Sequence, residues 1–243
     1  MAKEVRFFYD PQCLGSLPED EAGHATRVLR LQEGDEIFLM DGRGTFHRAE
    51  ITLATKRSCD YRILESLPQQ PAWRGHIHLA IAPTKNVDRI EWMIEKATEV
   101  GWDEVTFLDC AFSERRHLRT DRLRGILVSA AKQSHKAWMP STPDEMIPFR
   151  SFVEAPRQGQ RFICHCYDPA DVSPQSAKPL LRDVLSPNDA ATVMVGPEGD
   201  FSIEEVRLAE QLGWRSVSLG TSRLRTETAG LCAVHLMQLA KQI

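Results

Sequence analysis

Thr192-Val193-Met194-Val195-Gly196-Pro197-Glu198-Gly199-Asp200-Phe201-Ser202 is the stretch on which the fold turns. Its first four residues are apolar or β-branched and read as a buried strand. Ser202 and Glu205 have the spacing of a capping box, S-x-x-E, which opens a helix over 202–212 that Gly213 stops. A strand therefore feeds a helix through a short loop at its carboxyl end, where α/β sheets bind ligands. Gly196 and Gly199 let the backbone approach a ligand closely. A phosphate is excluded by charge, because Glu198 and Asp200 would repel it, and the chain has neither G-x-x-x-x-G-K-[ST] nor G-x-G-x-x-G. Acidic side chains beside exposed backbone suit a neutral or cationic ligand carrying hydroxyls and amines. A tight turn with solvated carboxylates accounts for the same residues equally well.

The strand–loop–helix rhythm extends to both sides. Strands are expected over 76–82, 105–110, 161–167 and 216–219, and helices over 86–100, 119–138 and 227–241. In the first of these helices Val87, Ile90, Ile94 and Ala97 share one face, and Gly101 ends it. Alternating strands and helices give an α/β class with a mostly parallel sheet covered on both faces. The first seventy residues differ. Strands over 5–9, 36–40 and 45–53, with the turn Asp41-Gly42-Arg43-Gly44 between the last two, read as β-rich. Leu67-Pro68-Gln69-Gln70-Pro71 reads as a linker. Two domains follow, 1–70 and 74–243.

The chain has 243 residues, 42% hydrophobic and 26% charged, with a net charge of −4. These values exclude a disordered chain, a disulfide miniprotein and a bulk polycation. Its longest apolar runs are of four residues, against about 20 for a membrane span, and Met1-Ala2-Lys3-Glu4 does not start a signal peptide. A cytoplasmic protein without a membrane partner is expected. Six cysteines include no C-x-x-C, and Cys164-His165-Cys166 is read as two buried thiols on a core strand rather than a metal site. Residues 114–136 concentrate seven cations against Glu114 and Asp121. The closing helix is apolar nearly all round, which means a subunit interface or a helix sunk in its own domain.

A second segment invites chemistry: Leu219-Gly220-Thr221-Ser222-Arg223-Leu224-Arg225-Thr226-Glu227-Thr228-Ala229. It also joins a strand to a helix. Arg223 and Arg225 stand near a helix N-terminus, where cations oppose the dipole, so an anionic partner is expected.

Together the two segments, G-P-E-G and then L-G-x-x-x-L-R-x-E-T-A, resemble the bacterial small-subunit ribosomal RNA N3-uridine methyltransferases of the SPOUT superfamily. Lys85, Glu91-Trp92 and Glu95-Lys96-Ala97-Thr98-Glu99-Val100-Gly101 resemble that family's K…EW…KATELG helix. Ser113-Glu114-Arg115 and Ala131-Lys132-Gln133-Ser134 resemble weaker stretches, and His24, Val28-Leu29-Arg30 and Gly34-Asp35 an H…VLR…GD segment. There are departures. Asp200 replaces the last glycine of the family's G-P-E-G-G, Ser222-Arg223-Leu224-Arg225 its R-I-L-R, and Lys132 and Lys136 the outer places of its E-Q-S-x-R.

The resemblance implies a PUA-like β-barrel over 1–70, then a SPOUT α/β domain with a C-terminal trefoil knot over 74–243. It implies a homodimer that uses S-adenosylmethionine and no metal, and acts on ribosomal RNA in the small subunit. The cofactor would lie against Val195, Gly196, Glu198 and Gly199 on one side and Leu219, Gly220, Leu224 and Thr226 on the other. Arg225, then Arg223, would stabilise the anion of a uridine losing its N3 proton, with Glu227 a candidate acceptor of that proton. RNA would meet Arg6, His24, Arg27 and Arg30 in the first domain and Lys85, Arg115 and Arg116 in the second. The column Glu91, Glu95 and Glu99 repels itself on one helix, and Lys96 relieves only part of this, so a tertiary or intersubunit partner is expected. Two other readings remain: a SPOUT enzyme with another RNA acceptor, and a non-catalytic RNA-binding assembly factor. The Asp200 departure raises the second, and the retained R-T-E-T-A opposes it.

Overall fold

The computed structural model describes residues 6–172 and 177–243, so Val5, the expected start of the first strand, and the residues before it lie outside the description. The chain divides into two units: the residues up to Pro71 together with Val128–Met139, and Ala72–Leu127 together with Pro140–Ile243. Residues 128–139, which the sequence groups with the second domain, thus join the first.

In the first unit, strands β1 (Phe7–Tyr9), β2 (Glu36–Met40), β3 (Thr45–Ala54) and β4 (Cys59–Pro68) form one sheet in that order. β1 runs parallel to β2, and the rest is antiparallel. The segment after β1 returns to the far edge, where the Leu17 amide donates to Cys59 and the Tyr61 amide to Gly15. Helix α1 (Glu19–Gly23) continues as a π-helical turn, His24–Val28. The turn between β2 and β3 forms as expected: Gly42 has φ +70°, and the Asp41 carboxylate accepts the Arg43 and Thr45 amides. The core packs Phe8, Leu17, Ala22, Ile37, Leu39 and Ile51.

Strand β4 was not expected. Beyond Cys59 and Tyr61 its side chains face solvent or the rim, so its sequence lacks the alternation that marks a half-buried strand. Leu67 and Pro68, read as linker, close this strand against Phe46 and Thr45. The segment 128–139 is fastened here by several contacts. Lys132 Nζ bonds both carboxylate oxygens of Glu21 at 2.6 and 2.8 Å and lies over the Phe8 ring. The His135 ring stacks on Phe7, and the Gly44 and Met139 amides bond Ala137 and Gly42 carbonyls.

The second unit is a six-stranded sheet of β5 (Ile77–Ile81), β6 (Glu104–Asp109), β7 (Ile147–Pro148), β8 (Gln160–Cys164), β9 (Ala191–Val195) and β10 (Arg215–Val217), in the order β10-β8-β9-β5-β6-β7. Every pairing is parallel. Residues of β5 and β9 are buried throughout, as strands covered on both faces require. One face packs Ala80, Ile163 and Met194 against α4 (Phe149–Glu154) and α6 (Ile203–Gln211). On β5, Leu79 and Ile81 alternate with Ala80 and so serve the other face. There they meet α2 (Val87–Val100) and α7 (Thr226–Lys241). Gly230 is needed for that approach, since a Cβ would stand 2.7 Å from Ile81 Cδ1. The remaining helices are α3 (Thr120–Gln133) and the short α5 (Pro169–Val172).

Three expectations need correction. Helix α3 ends at Gln133, not Trp138, because His135 takes φ +52° and breaks the repeat. Strand β8 ends at Cys164, so Cys166 lies beyond it and is exposed; of these two cysteines Cys164 alone is a buried thiol. Of the two readings of helix α7, a helix sunk in its own domain fails: it buries the line Glu227, Gly230, Val234 and Met237 and leaves Leu239 49% exposed. Among the described residues no helix is long and apolar enough to cross a membrane.

Candidate functional site

Because β5, β6, β8, β9 and β10 run parallel, the loops that follow them leave the same end of the sheet. The G-P-E-G-D loop follows β9. Pro197–Asp200 is a tight turn, closed by the Asp200 amide on the Pro197 carbonyl. Ser202 caps α6, and the capping box with Glu205 is formed on both sides.

The acids of this loop are spent differently from the sequence reading. Glu198 Oε1 accepts the Lys85 amide at 2.8 Å, in the turn after β5. Asp200 Oδ2 accepts the Cys166 amide at 2.7 Å, just past β8. Glu205 Oε1 accepts the Ala111 amide at 2.8 Å, just past β6. Three carboxylates thus each grip a backbone N–H of a different neighbouring loop. Bases grip the carbonyls of two of the same loops. Arg115 donates to the Thr84 and Lys85 carbonyls, the shortest contact being 2.6 Å, and Lys178 donates to those of His165 and Tyr167 at 2.8 Å. The capping box was legible in sequence; Lys178 and the second use of Glu205 were not, because their partners are remote in the chain.

Asp200 occupies φ +67°, the left-handed region that glycine enters freely. Its bonds to the Cys166 and Phe201 amides hold an aspartate there. Val195 and Gly196 are buried, while Glu198 and Gly199 are exposed, Gly199 lying against exposed Phe112.

The second loop follows β10, one strand beyond β8. The β8 loop stands between the two: Cys166 is bonded to Asp200 and feels the charge of Arg223. Burial, then Asp200, raises the Cys166 thiol above its ordinary value. His165 is driven down to about 4, first by burial and then by Lys178, so it is neutral at physiological pH. In the second loop Leu219 and Leu224 are half-buried and Gly220 is exposed at φ +138°, with nothing within 4 Å of where a Cβ would stand. The Ser218 hydroxyl holds the Gly220 amide and carbonyl. Arg223 and Arg225 are exposed; Arg225 is the N-cap residue of α7, and its side chain has no bonded partner among the described residues.

Thr226 and Glu227, in the first turn of α7, are buried. Glu227 Oε1 lies 3.7 Å from Arg89 of α2, and Oε2 has no hydrogen-bond partner among the described residues. The exposed glycines Gly199 and Gly220, the latter with an open face where a Cβ would stand, are what a loop pair built to bring its backbone to a polar ligand offers. The residues present fit S-adenosylmethionine in that respect. Among the described residues no group of three or more His, Cys, Asp or Glu side chains can hold a metal ion.

The other expected RNA contacts divide. Lys85 pairs with Glu114 at 2.7 Å, Arg115 is turned to carbonyls as above, and Arg116 pairs with Asp109. In the first unit Arg6 is half-buried, whereas His24, Arg27 and Arg30 are exposed on and just after the π-helical turn, a feature common at functional sites. The glutamate column of α2 finds its partners within the chain: Lys96 holds Glu95 and Glu99, and Arg122 holds Glu91 at 2.6 Å. That last pair lines a cleft of about 230 Å³ together with Val87, Leu118 and Leu123.

Residues 71–238 match the family model described as an RNA methyltransferase domain, and residues 17–64 match one described as an RNA methyltransferase PUA domain. The ribosomal RNA small subunit methyltransferase E of Synechocystis is 30% identical over 216 residues, 86% of this chain and 67% of that one. The crystal structure of a probable rRNA-methyltransferase from Porphyromonas gingivalis is 41% identical with a TM-score of 0.87, over 97% of this chain and 99% of that one. A ribosomal RNA small subunit methyltransferase E from Neisseria gonorrhoeae, solved bound to S-adenosyl methionine, is 27% identical with a TM-score of 0.82, over 97% and 98%. A family model spanning most of the chain, a PUA model before it and full-length structural relatives agree: the chain belongs to the RNA methyltransferase family that includes the ribosomal RNA small subunit methyltransferase E proteins.

Proposed function

We propose that this protein methylates N3 of a specific uridine in small-subunit ribosomal RNA, within the assembled subunit. The observation that supports this most is the pairing of two loops at one end of a parallel sheet. One is tied down by its own acids, and the other presents Arg223 and Arg225 to solvent beside a buried, half-partnered Glu227.

S-adenosylmethionine supplies an activated methyl group when bound, so the protein contributes mainly placement. In this reading Val195, Gly196, Glu198 and Gly199 line one wall of the cofactor site, and Leu219, Gly220, Leu224 and Thr226 the other. Glu198 Oε1 anchors the loop, and in this reading its Oε2 meets the ligand. The acceptor is an imide that normally pairs, so the base must be unstacked and must shed its N3 proton. Arg225, seconded by Arg223, stabilises the negative charge that develops. The first unit, read as a PUA-like barrel over 1–70, offers exposed His24, Arg27 and Arg30 and half-buried Arg6 to the RNA. The methyltransferase domain over 74–243 is read as SPOUT, knotted at its C-terminus and dimeric. Leu239 and the half-buried Leu231, Cys232 and Leu236 of α7 are the surface a second copy would cover.

The test is methyl transfer to small ribosomal subunits from cells lacking the enzyme, using labelled S-adenosylmethionine and digestion of the RNA to nucleosides. Label in N3-methyluridine, lost in Arg225→Ala, is the expected result. Label in another nucleoside, or none from a folded protein that binds the cofactor, overturns the reading.

A further inference from the structure

Arg89 lies in the first turn of α2, where a cation works against the helix dipole. Its guanidinium is 40% exposed, and 3.7 Å away stands Glu227 Oε1 of α7, on a residue 7% exposed. Glu227 Oε2 is sealed from solvent without a hydrogen-bond partner among the described residues. A carboxylate kept buried and half-satisfied beside an exposed arginine calls for a functional explanation. Burial also tells against Glu227 as the group that meets the substrate, while Arg89 has the exposure to do so. Both belong to the site end of the sheet. Arg89 follows the turn whose Lys85 amide is held by Glu198, and Glu227 is two residues from Arg225.

We propose that Arg89 is a second catalytic cation of the methyl transfer and that Glu227 is the positioning residue that orients it, not a base. The inference rests on the N3-uridine reading given above. In that reaction the N3–H proton passes to water or hydroxide, the N3–CH3 bond forms as the S–CH3 bond breaks, and sulfur leaves as a neutral thioether. The imide's charge spreads over two carbonyl oxygens, one on each side of N3. Two guanidinium groups, Arg225 at the start of α7 and Arg89 at the start of α2, match an anion with two flanking oxygens.

The experiment compares full-length wild type with Arg89→Ala, Arg89→Lys and Glu227→Gln on small subunits, following single-turnover rate against pH. Cofactor affinity is measured by calorimetry with S-adenosylmethionine alone, and melting temperature checks folding. Arg89→Ala is expected to slow the methyl-transfer step about 100-fold with cofactor affinity unchanged. The pH at which its rate levels off should rise by about 1 unit or more, because a lost cation no longer eases loss of the imide proton. Arg89→Lys should recover part of the rate. Glu227→Gln should lose about tenfold, as a misplaced group does, and keep the lower limb of its pH profile. A cofactor affinity that falls as far as the rate places Arg89 on the cofactor and overturns the proposal. A rate within threefold of wild type, or a rate loss with the pH profile unmoved, also overturns it. Collapse of Glu227→Gln with loss of its acidic limb restores Glu227 as the base. If wild type itself leaves no methyl on uridine N3, the functional reading fails and this inference fails with it; if it does, the variants judge Arg89 alone.

Discussion

Asp200 can be made to report what holds the β9 loop. It sits at φ +67° and joins two loops through the Cys166 amide at 2.7 Å, with a local bond to the Phe201 amide at 2.8 Å. Alanine keeps the left-handed backbone and loses both bonds. Glycine loses the same bonds and removes the backbone cost, which is about 1 kcal/mol for a residue with a Cβ. The bond to Cys166 has an ionised acceptor at a half-buried site, so about 1.5 kcal/mol is a fair value; the Phe201 bond is to the next residue and adds less. Asp200→Ala should therefore cost about 2.5 kcal/mol and Asp200→Gly about 1.5. Asparagine, with one carbonyl oxygen and a tolerance for this backbone, should cost about 1. For a chain of this size 1 kcal/mol moves the melting temperature by about 2–4 °C. The assay is thermal unfolding followed by circular dichroism. The expected order is wild type, Asn, Gly, Ala, with Gly above Ala. If alanine melts with or above glycine, the backbone account is wrong. If all three melt with wild type, the bridge to Cys166 contributes nothing and the family glycine and this aspartate are interchangeable.

Acid should weaken the second unit between pH 6.5 and 4. Burial lowers His78 to about 4, where it sits between the Thr192 and Thr106 hydroxyls, and His165 reaches about the same value. The unfolded chain binds these protons first. Stability is thus full above pH 6.5 and falls toward pH 4 by about 1.4 kcal/mol per pH unit for each histidine; urea melts at stepped pH should flatten in His78→Gln. In the first unit Lys132→Met strands Glu21, which is 6% exposed, and should destabilise by about 3 kcal/mol. Adding Glu21→Gln should recover part of that in a double-mutant cycle. Glu198→Ala and Arg115→Met each free one side of the Thr84–Lys85 backbone, and each should weaken S-adenosylmethionine binding about tenfold by calorimetry, whereas Glu198→Gln, which retains an acceptor, should lose less.

Much of the second unit was legible because its signals are local. Buried parallel strands are short apolar runs, and Asn86, Ser202 with Glu205, and Gly101 mark helix ends within a few residues of themselves. The two candidate loops were found for the same reason. Signals that depend on the fold were missed. The residues from Ile63 to Glu65 on β4 are exposed whichever way they alternate, and β7 with α4 is too short to show a period. The electrostatic reading of the G-P-E-G-D loop took its acids as facing a ligand. Each has at least one oxygen on a backbone amide remote in sequence, and no local pattern carries that information. Arg89 escaped notice because what distinguishes it is the company of Glu227, far along the chain.

The first unit is assembled from two stretches of chain, and Glu21 waits for a lysine 111 residues downstream. On a chain emerging N-terminus first, the sheet of β1–β4 is complete in sequence long before the segment that covers Phe7 and Phe8 has been made. Closing so long a loop costs entropy that the short contacts of the sheet do not repay alone. The first unit can therefore finish folding only after the stretch Ala72–Leu127 of the second has been synthesised, so its completion waits on chain that belongs to its neighbour. A fragment ending at Pro71 would correspond to a nascent intermediate, not to a free-standing module.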